Sequence, residues 1–326
     1  MPTPPHPPPL TPAAGPSQLI GVDLGGTAIK LGRFADDGSL LAEAECATPR
    51  PAMPGAVSMA IAEAIEAIDP QRQAELVGIG HPGPSDRAGR VARIAINLPG
   101  WREVPLADWL EPALGRRVTL ANDANCALLG ERWAGAARDA EDVLLLTLGT
   151  GVGGAVLLGG ELFLGHGGAA AEPGLIGVDP QGPPCRSGNR GSLEQYCSIA
   201  GLARLSPLPP AELARLADAG DAAALSTWEA YGRWLGIGLS SLIYVLTPQL
   251  VLLGGGLSAA SRHFLPAVWR EVEERVLAVS REGLAIRPCS LGNAAGRLGA
   301  AWLAGRRLGG CREAAPGTTR LGMMNA

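Results

Sequence analysis

The sequence has few of the residues that build metal centres and disulfide frameworks. It contains four histidines and six cysteines among 326 residues. No histidine lies at close spacing to a pair of cysteines, so a tetrahedral zinc site has few candidate ligands. The cysteines are scattered along the chain, which predicts reduced thiols and no disulfide framework.

Basic charge is not in excess either. The chain carries 27 lysines and arginines against 31 acidic residues, which gives a formal net charge of −4 at pH 7. Such a balance provides no positive field that would gather a polyanion. We therefore do not expect nucleic acid as a partner.

Long uninterrupted apolar runs are also missing. The most apolar stretch, residues 239–257, is broken by Thr247, Pro248, Gln249 and a run of glycines, so it cannot form one membrane-spanning helix. Residues 1–17 are rich in proline and have neither the basic start nor the apolar core of a secretory signal. We expect a disordered tail over 1–17 and a cytoplasmic protein without a membrane partner.

A repeated order of strands and glycine turns dominates what is present. Residues 19–34 predict two strands around a GGT turn, with a third strand after a DDG turn, and residues 143–164 repeat this order. Two similar units predict two related lobes. A chain of 326 residues suffices for two α/β lobes that enclose a cleft.

Helices and further strands alternate around these units, which points to parallel or mixed sheets. An apolar residue every three or four positions from Val57 to Ile68 predicts one helix. Further strands are predicted at 76–80, 118–120 and 250–253, and helices at 124–134, 211–217, 223–245, 264–279 and 294–308. The predicted organisation is a small lobe over 18–121 completed by helix 294–308, a large lobe over 122–293, and a frayed tail over 309–326.

Three glycine-rich turns are candidate nucleotide contacts: the first at 23–27, the second at 147–154 and the third at 254–256. Each alone is compatible with an ordinary strand-ending turn. In the first, backbone amides can approach a phosphate, Thr27 can donate to it and Asp23 can hold magnesium through water. The other two turns offer more bare backbone to the nucleotide. The predicted nucleotide site comprises Asp23, Gly25, Gly26, Thr27, Lys30, Gly149, Thr150, Gly151, Gly254, Gly255 and Gly256.

Asp123 is the candidate general base. It follows the strand at 118–120 in the run Asn122-Asp123-Ala124-Asn125. A carboxylate at a strand end can accept the proton of a substrate hydroxyl while the hydroxyl oxygen attacks a γ-phosphoryl group. The alternative is that Asp123 only caps the helix that follows.

Five motifs occur along the chain: DLGGT at 23–27, GIGHPGPSD at 78–86, NLPGW at 97–101, NDAN at 122–125 and LTLGTGVGG at 146–154. In this order they resemble the ROK family of bacterial sugar kinases and repressors, over residues 19–308. The resemblance implies the duplicated actin/hexokinase (RNase H-like) fold, an α/β fold with two lobes and an interlobe cleft. It also implies ATP and Mg2+ as cofactors, a hexose or hexose derivative as acceptor, most often glucose, and a homo-oligomer.

The resemblance assigns roles to single residues. Asp123 matches the catalytic base of the family, and Asn122 matches a sugar ligand. Glu172, in GHGGAAAEPG, and Glu194, in GSLEQY, match glutamates that bind sugar hydroxyls, and Asn97 is a weaker candidate for the same pocket. Without the resemblance, either glutamate is interpreted as a solvated surface carboxylate.

Two departures from the family pattern concern one expected site. Leu175 stands where the family's kinases usually have a histidine, and leucine can neither donate a hydrogen bond nor bind metal. Of the three cysteines in the family's zinc loop only Cys185 remains, with Ser187 and Ser192 in the other positions. We therefore predict no structural zinc. The missing histidine also leaves the identity of the sugar open.

The sequence thus predicts an ATP-dependent, glucokinase-like sugar kinase. The alternative is a ROK protein that binds sugar and regulates without turnover. Repressors of the family carry a helix-turn-helix before the first glycine turn, and the proline-rich residues before Leu19 do not favour such helices. The sugar, the hydroxyl that is phosphorylated, and ATP or polyphosphate as donor stay open.

Overall fold

The computed structural model describes residues 18–95 and 98–309. The predicted tail 1–17 and all of the predicted tail 309–326 except Gly309, which is helical, lie outside the described residues. The strands are β1 (Gln18–Leu24), β2 (Ala28–Phe34), β3 (Leu40–Ala47), β4 (Ala74–His81), β5 (Ala92–Ile94), β6 (Arg102–Val104), β7 (Arg117–Asn122), β8 (Val143–Leu148), β9 (Val152–Leu158), β10 (Glu161–Leu162), β11 (Leu250–Gly254) and β12 (Ala285–Pro288). The helices are α1 (Pro54–Ile68), α2 (Leu106–Leu114), α3 (Asp123–Ala134), α4 (Leu193–Cys197), α5 (Ile199–Ala203), α6 (Pro210–Asp218), α7 (Ala222–Leu246), α8 (Ser261–Arg275) and α9 (Ala295–Gly309).

Two five-stranded sheets share one topology. The first sheet has the order β3-β2-β1-β4-β7 and the second the order β10-β9-β8-β11-β12. In each, the first three strands form an antiparallel meander, and the other two run parallel to its first strand. The predicted duplicated α/β fold is therefore confirmed.

Helix α1 shows how the periodicity of the sequence becomes a packed face. Its buried side chains include Val57, Ile61, Ile65 and Ile68, which join the apolar core on one face of the first sheet. Pro54 occupies the first turn, where its missing N–H leaves no hydrogen bond unmade. The prediction of this helix is confirmed.

Helices α7 and α8 form the core of the large lobe. Trp228 and Tyr231 of α7 pack against Phe264 of α8, and all three are fully buried. The predicted helix over 264–279 was wrong at its end, because α8 stops at Arg275 and a 3-10 turn occupies Ala278–Arg281. Val276 is still buried, but Leu277 and Val279 are exposed, so no packing continues the helix beyond it. In the described part of the chain no helix, α7 included, has the apolar length to cross a bilayer.

Helix α9 lies between the two sheets. Glycine allows the close approach: a Cβ on Gly21 or Gly78 of the first sheet would lie 1.7 or 1.8 Å from a carbonyl oxygen of α9. On another side α9 packs along α3, and Leu303 joins a core that also contains strands of the second sheet. These contacts support the predicted role of this helix in completing the small lobe, although the lobe boundaries themselves stay a prediction.

Candidate active site

A cavity of about 470 Å3 lies where strands of both sheets end. From the first sheet come the loop after β4 and the start of α3 after β7. From the second come the β8–β9 turn and the end of β11. The lining residues are Pro82, Gly83, Pro84, Ile94, Asn122, Asp123, Thr147, Leu148, Gly149, Thr150, Gly151, Val152, Gly153, Ala169, Glu172, Leu175, Glu194 and Gly255.

Asp123 lines this cavity, and its side chain is exposed there to solvent. Asn122, not Asp123, is the N-cap of α3, because its Oδ1 accepts from the N–H groups of Ala124 (2.9 Å) and Asn125 (3.3 Å). One carboxylate oxygen of Asp123 also accepts from Ala124 at 2.8 Å. Burial, opposed by that bond and assisted by the charge of Asp23, raises the pKa of Asp123 to about 6. A carboxyl with this pKa is ionised at pH 7 and is a stronger base than an ordinary aspartate.

Two further carboxylates share the cavity with Asp123. Burial raises the pKa of Glu172, and the charges of Asp123 and Glu194 raise it further. One oxygen of Glu194 accepts from the N–H of Val152 at 3.1 Å, so Glu194 is attached to the β8–β9 turn. The cavity therefore combines acceptors for hydroxyl groups with a high density of negative charge.

The second and third glycine turns meet at this cavity. Gly149 and Gly151 belong to the β8–β9 turn, which the Gly149 N–H closes by donating to Gly151 O at 3.0 Å, and a Cβ on Gly149 would meet no atom within 4 Å, so there is free space on that side of the turn. Gly255 has φ +80°, and a Cβ there would lie 2.3 Å from the carbonyl oxygen of Leu148. Gly254 and Gly256, on either side of Gly255, do not line the cavity. Backbone from two separate segments thus converges, as a nucleotide phosphate site requires.

The first glycine turn stands beside this cavity, outside its lining. Burial raises the pKa of Asp23, while Lys30 and Arg297 lower it, and a Cβ on Gly296 would lie 3.1 Å from the Asp23 carboxyl carbon. Asp23 therefore lies at the start of α9 and near enough to Asp123 to affect its pKa. Lys30 lines an adjacent cavity of about 410 Å3 together with Glu43, Glu45 and Arg297.

The first turn is exposed at its tip and closed by a backbone hydrogen bond. Gly26 and Thr27 are exposed, and a Cβ on Gly26 would meet no atom within 4 Å. The Gly25 N–H donates to the carbonyl oxygen of Ala28 at 3.0 Å, which closes the turn. Asn97, the weaker sugar candidate, lies outside the described residues.

The family of the chain follows from comparison with known proteins. A profile of the ROK family matches residues 19–307. The chain belongs to the ROK family. The glucokinase of Thermotoga maritima is 35% identical over 313 residues, which cover 90% of this chain and 99% of that relative. The N-acetyl-D-glucosamine kinase of Escherichia coli O157:H7 is 34% identical over 307 residues, or 87% of this chain and 98% of the other.

The fold has matches among solved ROK proteins. A ROK family glucokinase from Streptomyces griseus, in complex with glucose and AMPPNP, has a TM-score of 0.76 at 32% identity and covers 89% of this chain and 100% of its own. This likeness confirms the actin/hexokinase fold predicted from the motifs. Together the relatives support a sugar kinase, while the particular sugar is a matter for proposal.

The loop that departs from the ROK pattern is held by hydrogen bonds in this structure. Burial raises the pKa of the Cys185 thiol, but hydroxyl groups of Ser187 and Ser192 outweigh it, so the net pKa is lowered. The Cys185 N–H donates to Asn189 O at 2.8 Å, and the Asn189 amide donates to Leu175 O at 3.4 Å. Residues 18–95 and 98–309 contain no group of three or more potential metal-binding side chains. The absence of zinc stays a prediction.

Sequence reasoning missed an apolar part of the cavity wall. Pro82, Gly83 and Pro84 follow β4, Ile94 ends β5, and Ala169 precedes Glu172. The available signal was the pair of prolines around a glycine immediately after a buried strand, in the motif GIGHPGPSD. In the sequence this motif indicates the family, and it does not show that its prolines line a cavity.

Proposed function

We propose that this protein transfers the γ-phosphoryl group of ATP to a hydroxyl of a hexose or hexose derivative, with Asp123 as general base. One observation carries the proposal. Asp123, with a pKa raised to about 6, shares one cavity with the glycine-rich β8–β9 turn. The related Streptomyces griseus glucokinase was solved with glucose and AMPPNP, an analogue of ATP, which supports these two ligands for the same fold.

In the proposed reaction the sugar hydroxyl lies against Asp123. The hydroxyl oxygen attacks the γ-phosphorus, its proton passes to the Asp123 carboxylate, and the bond from phosphorus to the β,γ-bridging oxygen breaks to release ADP. Glu172 and Glu194 accept hydrogen bonds from other hydroxyls and so orient the ring. The glycine turns hold the phosphates through backbone N–H groups.

Magnesium fits the charge of the site. Three carboxylates line the cavity, and no lysine, arginine or histidine is among its described lining residues. A triphosphate would therefore be repelled unless a cation accompanies it. Mg2+ favours carboxylate and phosphate oxygens and needs only one or two protein carboxylates. Asp23, beside the cavity, is the residue that would hold it through water.

The deciding experiment measures ADP release from ATP and Mg2+ with a panel of sugars. Glucose and N-acetylglucosamine come first, because relatives named as kinases of each resemble this chain over most of its length. Mannose, fructose, allose and polyphosphate as donor complete the panel. ADP release that depends on one sugar supports the proposal. Sugar binding without ADP release would refute it and favour a regulatory protein.

A further inference from the structure

The loop that forms the apolar wall of the cavity is held by backbone hydrogen bonds mainly at its end, where Pro84 O accepts from the Arg93 N–H at 3.0 Å and Ser85 forms a β-bridge with Ala92. It comprises residues 82–85, directly after β4. Pro82 and Pro84 have no N–H to donate, and Gly83 has φ +82° with a Cβ position only 1.9 Å from the carbonyl oxygen of Ile94. The carbonyl groups of Pro82 and Gly83, at the start of the loop, are instead contacted by side chains.

His81 is the side chain that joins the two ends of the loop. It is fully buried, with Nδ1 3.0 Å from Pro82 O and Nε2 2.7 Å from Ser85 Oγ. Because a carbonyl can only accept, Nδ1 carries the proton, and Nε2 accepts from the Ser85 hydroxyl. Burial lowers the pKa of His81 to about 4, so the ring is neutral at physiological pH and holds this tautomer.

The same loop is bonded to the predicted sugar site. His81 and Asn122 are paired neighbours at the ends of β4 and β7. The Asn122 amide donates to Gly83 O at 3.2 Å. Its Oδ1 already caps α3, whose first residue is Asp123. The position of Asn122 is therefore coupled to the loop, whereas the β8–β9 turn is fixed by Glu194, Gly255 and the Ile199 N–H.

We propose that His81 and Ser85 are positioning residues for the acceptor half of the site. The hydrogen bond from the Ser85 hydroxyl to the His81 ring fixes residues 82 and 83 and, through Gly83, the side chain of Asn122. This inference rests on the proposed kinase function only because its assay measures KM through ADP release. Loss of the bond weakens sugar binding and leaves nucleotide binding intact.

The test is Ser85→Ala, with His81→Gln as a second variant that loses the bond to Pro82. One buried hydrogen bond contributes about 0.5 to 1.5 kcal/mol, so we expect the KM for sugar to rise roughly 2- to 12-fold. The KM for ATP and kcat should stay within about twofold of the parent values. Ser85→Thr, which keeps the hydroxyl, should restore the sugar KM.

Ser240→Ala is the matched control. Its buried hydroxyl donates to Gly236 O at 2.8 Å inside α7, away from the cavity. It should lower stability by a similar amount without changing either KM. An unchanged sugar KM in Ser85→Ala, a parallel rise of both KM values, or an equal effect of Ser240→Ala would each overturn the inference.

Failure of the kinase proposal is distinguishable from failure of this inference. If the parent binds glucose or N-acetylglucosamine by calorimetry but releases no ADP, the kinase proposal is refuted. The same variants then test the loop through the Kd for sugar against the Kd for AMPPNP. A parent that binds none of the panel sugars contradicts both proposals.

Discussion

Replacement of Asp123 by asparagine separates the catalytic role of its charge from its structural role. The amide has nearly the same shape but cannot accept the sugar proton, so kcat should fall by about two to four powers of ten. The neighbouring Asn122 still caps α3, and the amide oxygen at position 123 can still accept from the Ala124 N–H. The variant should therefore fold and bind AMPPNP like the parent.

The stability of the Asp123→Asn variant should depend on pH in a defined direction. The folded pKa of Asp123 is raised from 3.8 to about 6. The contribution of this group to stability is thus complete below about pH 4 and is lost as pH rises through about 6. The side chain is open to solvent in the cavity, so the full shift must be discounted to about 1 kcal/mol. At pH 7.5 the variant should melt roughly 2 °C above the parent, with no gain at pH 4.

Two assays check this prediction. Coupled ADP release gives kcat, and thermal unfolding followed by circular dichroism at both pH values gives the stability change. An Asp123→Asn protein that turns over within a few-fold of the parent would refute the general-base assignment. A variant that is inactive because it has unfolded would instead show that Asp123 is structural.

Four more outcomes follow from the same coordinates. The pH profile of kcat/KM should fall about tenfold per pH unit below about pH 6, because protonated Asp123 cannot accept the sugar proton. Gly255→Ala, at φ +80° and 2.3 Å from Leu148 O, should weaken AMPPNP binding at least tenfold in calorimetry, whereas Gly55→Ala, in open space on α1 and outside the cavity lining, should leave it unchanged. Glu131→Gln should lower the free energy of unfolding in urea by about 2 kcal/mol, because the buried Glu131 carboxylate accepts four hydrogen bonds, from Ser290 N and Oγ, Leu291 N and Ala136 N. The control Glu229→Gln, at an exposed ion pair, should lower it by under about 0.5 kcal/mol. Elemental analysis should find no zinc, and EDTA should abolish ADP release without lowering the melting temperature, because the loop after Cys185 has hydrogen bonds of its own, from the Cys185 N–H to Asn189 O and from the Asn189 amide to Leu175 O.

Sequence patterns predicted the strands, turns and helices whose conformation is set by residues close together in the chain. The strand, glycine turn and strand order is local, so both meanders and the duplication were visible before the structure. The place of Asp123 between a strand and a helix was predicted for the same reason, and β7 and α3 confirm it, while its role as the base stays a proposal. The helix predicted over 264–279 failed at its end because an apolar residue there signals burial only if a partner surface exists.

Long-range pairing decided what the sequence alone could not. His81 and Asn122 are 41 positions apart, yet the β4–β7 register makes them neighbours. Lys30 was predicted with the nucleotide residues, but its side chain lines the adjacent cavity with Glu43, Glu45 and Arg297. Its assignment to the nucleotide stays a prediction, as do Asn97, the homo-oligomer and the cytoplasmic location.

The charge of the cavity connects substrate choice to product release. Asp123, Glu172 and Glu194 line it without a basic partner among the described lining residues. Carboxylates at this density accept hydrogen bonds from the hydroxyls of a neutral sugar but repel an acidic one. The proposed reaction would turn this neutral acceptor into a phosphorylated anion. After departure of Mg2+ and ADP, the carboxylates proposed to orient the sugar would repel its phosphorylated form, so we expect the site to bind the substrate more tightly than the product.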